Sequence, residues 1–438
     1  MYSKTPAFNL KAVLLETGLA ADTLRAWERR YGLPAPQRTS GGHRLYSQHD
    51  IEMIKWLIAR QAEGLSISRA VDLWNEQTAS GTDPLLGGYA TSTLTAAQAT
   101  LASLPPDTNL DVIRRQWIAA CINFNESNAE QALNKAFSMF PVEAVCTEVL
   151  QKGMAEIGDL WYENRASVQQ EHFASSLAMR RLDALLSASP APSRPQTVLV
   201  GCPPDEWHTF TPLLLSLFLR RRGMNVIYLG ANVPVERFEE TVSKVKANLV
   251  ILAAQTLTSA ASLQLTALSL SGLRVPVAFG GRIFFLRKSL ADHIPGHYLG
   301  DSVDSSIDEV EKMLKGRLKE KQLKPASQSC LAALQAFTSR RTSIENTIKE
   351  LVQPLSISPD GLNTGIHFLG NNIAAALQLG DMEHVTGEVE WLKVLMQFHE
   401  RPPQELNDFM QNYSRAVDLH INGQGDPIKT WLDSQANR

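Results

Sequence analysis

Only four cysteines occur in 438 residues, and Cys121, Cys146, Cys202 and Cys330 share no CxxC or other ligand spacing. That excludes a disulfide framework and a cysteine-rich zinc site, and it suits a reducing cytoplasm. Excess charge of one sign is also missing. The net charge is −3 and the pI about 6.4, so any nucleic-acid contact must come from a local patch. Long apolar runs are absent too: Pro212-Leu-Leu-Leu-Ser-Leu-Phe-Leu219 stops at Arg220, well short of a membrane span. The start, Met1-Tyr-Ser-Lys-Thr-Pro6, carries no apolar signal segment. A soluble, cytoplasmic protein with no membrane partner is expected.

At ~150 residues per domain, the length suggests about three domains. Stretches mixing Ser, Thr, Gly, Ala and Pro read as linkers at Thr78 to about Thr91, Ser187 to Pro195 and Lys324 to Ser329. The expected blocks are residues 1–78, a linker over 79–105, then 106–188, 196–318 and 328–438. No repeat at a fixed short period is found.

In the first block, Leu10 to Thr17 reads as a short helix, Gly18 to Asp22 as a turn, and Thr23 to Tyr31 as a second helix ended by Gly32. Pro34 and Pro36 prevent the helix from resuming. Arg38, Gly41 and Gly42 then suit a tight two-stranded wing. Ser47-Gln-His-Asp50 has capping-box spacing, opening a third helix through Ile51, Ile54 and Leu57, and a fourth begins near Ser66. Between Arg25 and Arg44 lie five arginines, Arg25, Arg29, Arg30, Arg38 and Arg44, against one acid, Glu28.

The second block is helical throughout, with length for a four-helix bundle: Val112, Ile113 and Trp117, then Leu133 and Phe137, Val145 and Val149, Leu177 and Leu182. In the third, the apolar runs Thr197–Val200, Asn225–Leu229, Leu249–Leu252 and Val275–Phe279 alternate with helix-length intervals, so a doubly wound parallel sheet is expected. The last block is helical by pattern and carries no catalytic or metal signature. The fold class is therefore multidomain α and α/β: winged helix-turn-helix, four-helix cap, doubly wound sheet and C-terminal helical region.

Arg25-Ala-Trp-Glu-Arg-Arg-Tyr-Gly-Leu-Pro34 with Gly41-Gly-His-Arg-Leu-Tyr-Ser47 resembles the MerR family over roughly Phe8 to Trp74. A helix presenting Arg25, Trp27, Arg29 and Arg30 can enter a major groove, where arginine reads guanine or reaches phosphate. Arg38, His43, Arg44 and Tyr46 of the wing would contact flanking phosphate and sugar. Half of so small a helix must be buried, so Trp27 and Tyr31 are also candidates for the core. Such readers bind paired half-sites of double-stranded operator DNA as dimers, and the resemblance implies RNA polymerase as a further partner. The family's usual dimerisation helix would fall in the Thr78 to Thr91 stretch, so dimerisation is assigned to the later blocks.

Glu206-Trp-His208 follows the first strand of the α/β block, where ligands meet the carboxyl ends of parallel strands. It resembles the acidic-x-His-x-x-Gly signature of cobalamin-binding domains. The resemblance implies His208 as the lower cobalt ligand, the one metal contact, and Glu206 as the carboxylate orienting it. Gly280-Gly281 matches the family's glycine pair near the buried nucleotide tail, and Gln255 stands before Thr256-Leu257. Two positions depart. Thr211 replaces a glycine and Gln255 a serine, and both would narrow the tail channel.

Trp161-x9-Glu171-His172 in the second block resembles the cap of light-responsive CarH-type repressors, extending the likeness over residues 8 to about 315. There the tryptophan and the Glu-His pair enclose the adenosyl group of adenosylcobalamin. Light-responsive members commonly place a cobalt-capturing histidine directly after the tryptophan. Tyr162 stands there instead, and a neutral phenol is a poor cobalt ligand.

The expected function is a non-enzymatic, MerR-type repressor whose dimer or tetramer assembly, and hence operator affinity, follows bound adenosylcobalamin and light. One alternative is a regulator on this fold that no longer uses cobalamin and answers another ligand or a protein, suggested by Thr211, Gln255 and Tyr162. A corrinoid carrier for methyl transfer is the other. The arginine-rich reader disfavours that.

Overall fold

At Ser47 the chain turns from strand to helix through the capping box that the spacing predicts. Asp50 Oδ2 accepts hydrogen bonds from the Ser47 amide and hydroxyl, both 2.8 Å, and the Asp50 amide donates back to Ser47 Oγ at 3.1 Å. The computed structural model describes residues 3–17, 19, 21–38, 44–62, 67–79, 84–85, 109–316, 323–352, 359–398 and 401–436. They divide into two compact units, one of residues 1–113 with 130–145 and 187–189, the other of 114–129, 146–186 and 190–438.

In the first unit, β1 (Pro6–Asn9), α1 (Leu10–Thr17), α2 (Ala21–Tyr31), β2 (Gln37–Arg38), β3 (Arg44–Ser47), α3 (Gln48–Ala62) and α4 (Ile67–Ala79) form the reader. Gly32 ends α2 at φ 70°, with its amide on the Glu28 carbonyl at 3.1 Å, the left-handed C-cap that glycine adopts without a Cβ penalty. The wing has three antiparallel strands in the order β1-β3-β2, one more than expected, because Pro6–Asn9 pairs with β3. Val13, Leu24, Trp27, Tyr46, Ile54, Leu57 and Trp74 fill its core. Glycines 41 and 42 of the expected wing tip lie outside the described residues.

The cap comprises α5 (Leu110–Ile122), α6 (Glu126–Met139), α7 (Val142–Val145) running through a π turn (Cys146–Gln151) into α8 (Lys152–Tyr162), and α9 (Val168–Ser187). Within the second unit, α5 and α8 meet closely at Gly153, where a Cβ would come within 2.8 Å of the Trp117 ring. Arg114 ties the same helices, donating to Glu156 at 2.6 Å and to the Glu148 carbonyl at 3.0 Å.

Next come β4 (Thr197–Gly201), α10 (Phe210–Arg221), β5 (Asn225–Tyr228), α11 (Phe238–Lys244), β6 (Leu249–Ala253), α12 (Leu257–Ser269), β7 (Val277–Gly280), α13 (Arg282–Leu286), β8 (His297–Tyr298) and α14 (Val303–Leu314). The sheet is parallel, in the order β5-β4-β6-β7-β8. β4 and β6 are buried along their whole length, as continuous apolar strands covered on both faces must be. The chain goes from β4 to one side and returns to the other. A crevice therefore opens beyond the carboxyl ends of β4 and β6.

The last helices are α15 (Gln328–Val352), α16 (Pro359–Leu379), α17 (Thr386–Phe398), α18 (Pro403–Ile421) and α19 (Asp426–Ala436). They share one hydrophobic core with the sheet and its helices, so the C-terminal region is not packed apart from the α/β block as the blocks drawn from sequence suggested. Gln378 of α16 donates to the Ala261 carbonyl of α12 at 2.7 Å. The expected linker at Lys324 is pinned as well, its amide on the Asp292 carbonyl at 2.9 Å and its carbonyl 2.9 Å from His293 Nδ1. All four cysteines are buried, and none forms a disulfide. Among the described residues no helix is long and apolar enough to cross a membrane.

Candidate functional site

On α2 the 3.6-residue period puts Leu24 and Trp27 inward and leaves Arg25, Arg29 and Arg30 exposed. Arg30 lies over the Tyr31 ring, 5.5 Å from its centroid. Two expected DNA contacts are corrected: Trp27 is 5 % exposed and Tyr46 is wholly buried, so both serve the core rather than a groove. The Tyr46 hydroxyl donates to Glu28 Oε1 at 2.5 Å, while Arg44 Nε donates to Glu28 Oε2 at 2.8 Å. Burial, then the Glu28 carboxylate, raise the Tyr46 hydroxyl above the ordinary phenol range. Glu28, the lone acid in the basic stretch, thus ties the wing to the helix, a role that sequence reasoning missed. Arg38 pairs with Arg44 across the wing, and His43 lies outside the described residues.

At the crevice beyond β4 and β6, Glu206 is fully buried and both carboxylate oxygens are engaged. Oε2 accepts from the Gln255 amide at 2.6 Å and the Ser259 hydroxyl at 2.7 Å. Oε1 accepts from the His208 amide at 2.8 Å and sits 2.7 Å from His208 Nδ1. Burial alone would raise the Glu206 carboxyl, but the bonds from His208, Ser259 and Gln255 outweigh it and hold the group below the usual range. The hydrogen bond to Glu206 in turn raises His208, and the Glu206 and Glu171 charges add to that shift.

With Nδ1 on the carboxylate, His208 keeps Nε2 for another partner, and its side chain is 67 % exposed. That is the arrangement of a metal-binding histidine oriented by a carboxylate. Among the described residues no group of three or more His, Cys, Asp or Glu could hold a bare ion. A metal here would bring its remaining donors with it, as a corrin macrocycle does. Ser259, which no sequence motif marked, completes the cradle from the first turn of α12. Cys202 is buried beside Glu206, which pushes its thiol up to about 12 and keeps it protonated.

A cavity of about 430 Å³ adjoins this site, lined by Thr211, Gln255, Gly280, Gly281 and Tyr298 together with Gln151 and Ala155 of the cap. A Cβ on Gly280 would meet nothing within 4 Å, whereas one on Gly281, at φ 124°, would lie 1.9 Å from the Ala254 carbonyl oxygen. The glycine pair therefore splits into one residue that keeps the cavity open and one that lets β7 turn against β6. Gln255 Oε1 accepts from the Arg282 amide at 2.9 Å, which ties the side chain to the wall. Thr211 and Gln255 both line this cavity, whose volume lies in the range of small-molecule sites. Leu257 is corrected: the first residue of α12, it is wholly buried and does not line the cavity.

In the cap, Trp161 lies next to last in α8 at 36 % exposure, and Glu171 Oε2 lies 2.7 Å from His172 Nδ1 on α9, with the His172 side chain 75 % exposed. A larger opening of about 670 Å³ lies among the C-terminal helices and holds none of the expected residues.

Three family models match the chain: MerR HTH family regulatory protein over residues 8–77, and two B12 binding domain models over 113–186 and 196–301. The HTH-type transcriptional repressor CarA of Myxococcus xanthus is 30% identical over 249 residues, 56% of this chain and 75% of that protein. CarH of the same organism is 29% identical over 250 residues, 57% of this chain and 79% of that repressor. The monomethylamine corrinoid protein of Methanosarcina barkeri aligns with 46% of this chain and 99% of its own, at TM-score 0.40 and 19% identity. The chain belongs to the family of CarA and CarH, transcriptional regulators that join a MerR HTH reader to B12-binding domains.

Proposed function

We propose that the protein is a cytoplasmic, non-enzymatic repressor whose assembly, and through it DNA affinity, is set by adenosylcobalamin and reversed by light. The observation that carries this reading is the Glu206–His208 pair, with Nε2 free, at the sheet's switch point beside a cavity the cap also lines. His208 would hold the cobalt from below and Glu206 would fix its tautomer and direction. Gly280 would leave space for the nucleotide tail. Above, Trp161 would exclude water and Glu171 and His172 would contact the adenosyl group. When bound, adenosylcobalamin supplies a light-cleavable bond to that group.

The chain's own part is a change of population. A ligand favours an assembly only by its differential affinity for it, and joined readers gain avidity that separate ones lack. The room left beside Thr211 and Gln255 speaks for cobalamin rather than for a fold that has abandoned it. Exposed Arg25, Arg29 and Arg30 speak for a DNA reader rather than a methyl carrier.

Gel filtration of the full chain tests this reading. After incubation with adenosylcobalamin in the dark, corrin absorbance should co-elute with protein at a higher mass than the cofactor-free chain shows. Illumination should return the protein to lower mass. An elution volume indifferent to both cofactor and light would refute the assembly mechanism.

A further inference from the structure

The Tyr162 ring does not stand alone at the end of the cap helix. It stacks on Trp391 of α17, centroids 6.4 Å apart and planes 29° from parallel, and both side chains are half-buried. Three residues earlier on the same helix face, Glu388 pairs with Arg287 at 3.4 Å. Arg287 closes α13, the helix that starts at the glycine pair, and Phe285 of α13 lines the 430 Å³ cavity. One face of α17 therefore grips the cap through Trp391 and the α/β wall through Glu388.

The helix is itself braced. Its first residue, Thr386, accepts from Trp431 Nε1 at 3.0 Å, Phe368 of α16 packs against Trp391 at 6.2 Å, and α16 is bonded to α12 through Gln378. Burial lowers the Arg287 guanidinium and raises the Glu388 carboxyl, so each is poorly solvated except by the other. At Gly387 a Cβ would come within 2.2 Å of Arg287 Nη2, so glycine there admits the guanidinium against the helix.

We infer that α17 is a clasp that holds the cap closed over the candidate cofactor cleft by binding both of its walls. This rests on the cobalamin reading of the cleft only for what the clasp encloses. To open the cap, the Tyr162–Trp391 stack must break, so passage of cobalamin is coupled to release of α17. The C-terminal helices become the element that senses cap position, and the tyrosine that replaces the family's histidine becomes its contact point.

The test uses the full-length wild type, Trp391→Ala, Trp391→Phe, Tyr162→Ala and the double alanine variant. Without cobalamin, Trp391→Ala should speed hydrogen exchange in residues 152–162, Tyr162→Ala should speed it in 386–398, and Trp391→Phe should restore most of the protection. Release of adenosylcobalamin in the dark, chased with excess hydroxocobalamin, should quicken roughly twofold to tenfold in either single variant, the range a lost aromatic pair implies. The double variant should be no faster than the singles, because they remove one contact. Unchanged exchange, or single effects that multiply in the double variant, overturns the clasp. If exchange responds as described but the wild type retains no cobalamin, the clasp stands and the cobalamin reading falls. Normal retention with flat exchange means the reverse.

Discussion

His208→Ala should leave a folded protein that no longer retains cobalamin through gel filtration. The imidazole is largely exposed, so its removal costs little packing, and Glu206 keeps the Gln255 amide, the Ser259 hydroxyl and the backbone amide of residue 208. What disappears is the one nitrogen aimed outward from a carboxylate-oriented ring. Loss of an orienting partner alone typically weakens a metal site by about tenfold to a hundredfold. Glu206→Gln should fall in that range. Loss of the ligand itself should exceed it, read by equilibrium dialysis with absorbance detection. Equal retention by wild type and His208→Ala would remove His208 from the site.

Combined substitution of Arg25, Arg29 and Arg44 by alanine should abolish measurable specific DNA binding while the B12-binding half is untouched. Arg25 and Arg29 are exposed on α2, and each base-reading arginine is worth about 1–3 kcal/mol, so the pair alone predicts at least about a thirtyfold loss. Arg44 differs because Glu28 holds it and its side chain is 30 % exposed. Its single substitution should act mainly through phosphate, reducing the slope of log affinity against log salt by about one. Undiminished binding by the triple variant, measured by fluorescence anisotropy across a salt series, would refute the reader assignment.

Local chemistry was legible in sequence wherever a few neighbouring residues sufficed. Ser47 and Asp50 marked a helix start, Glu206 and His208 a carboxylate-histidine pair, and the apolar runs four of the five sheet strands. Pro6–Asn9 and His297–Tyr298 escaped because neither carries an apolar run like those of the four strands that were read. Direction was harder to read than identity. Trp27 and Tyr46 sit among arginines in sequence, yet adjacent residues of a helix point in different directions and those of a strand to opposite faces, and burial took both aromatics. Ser259 was invisible because only the return of α12 to the crevice brings it to Glu206. The C-terminal block declared its helices by periodicity, but period says nothing of what an apolar face will meet. Here it met α12 and, through Trp391, the cap.

Whether cobalamin sets DNA affinity is read most directly in one titration. A duplex enriched from a random pool by the full chain is titrated at fixed salt with cofactor-free protein, with protein loaded with adenosylcobalamin in the dark, and with the loaded sample after illumination. Tight binding by the dark, loaded protein alone, with the illuminated sample falling back toward the cofactor-free curve, is the predicted result. Three superimposed curves would contradict it.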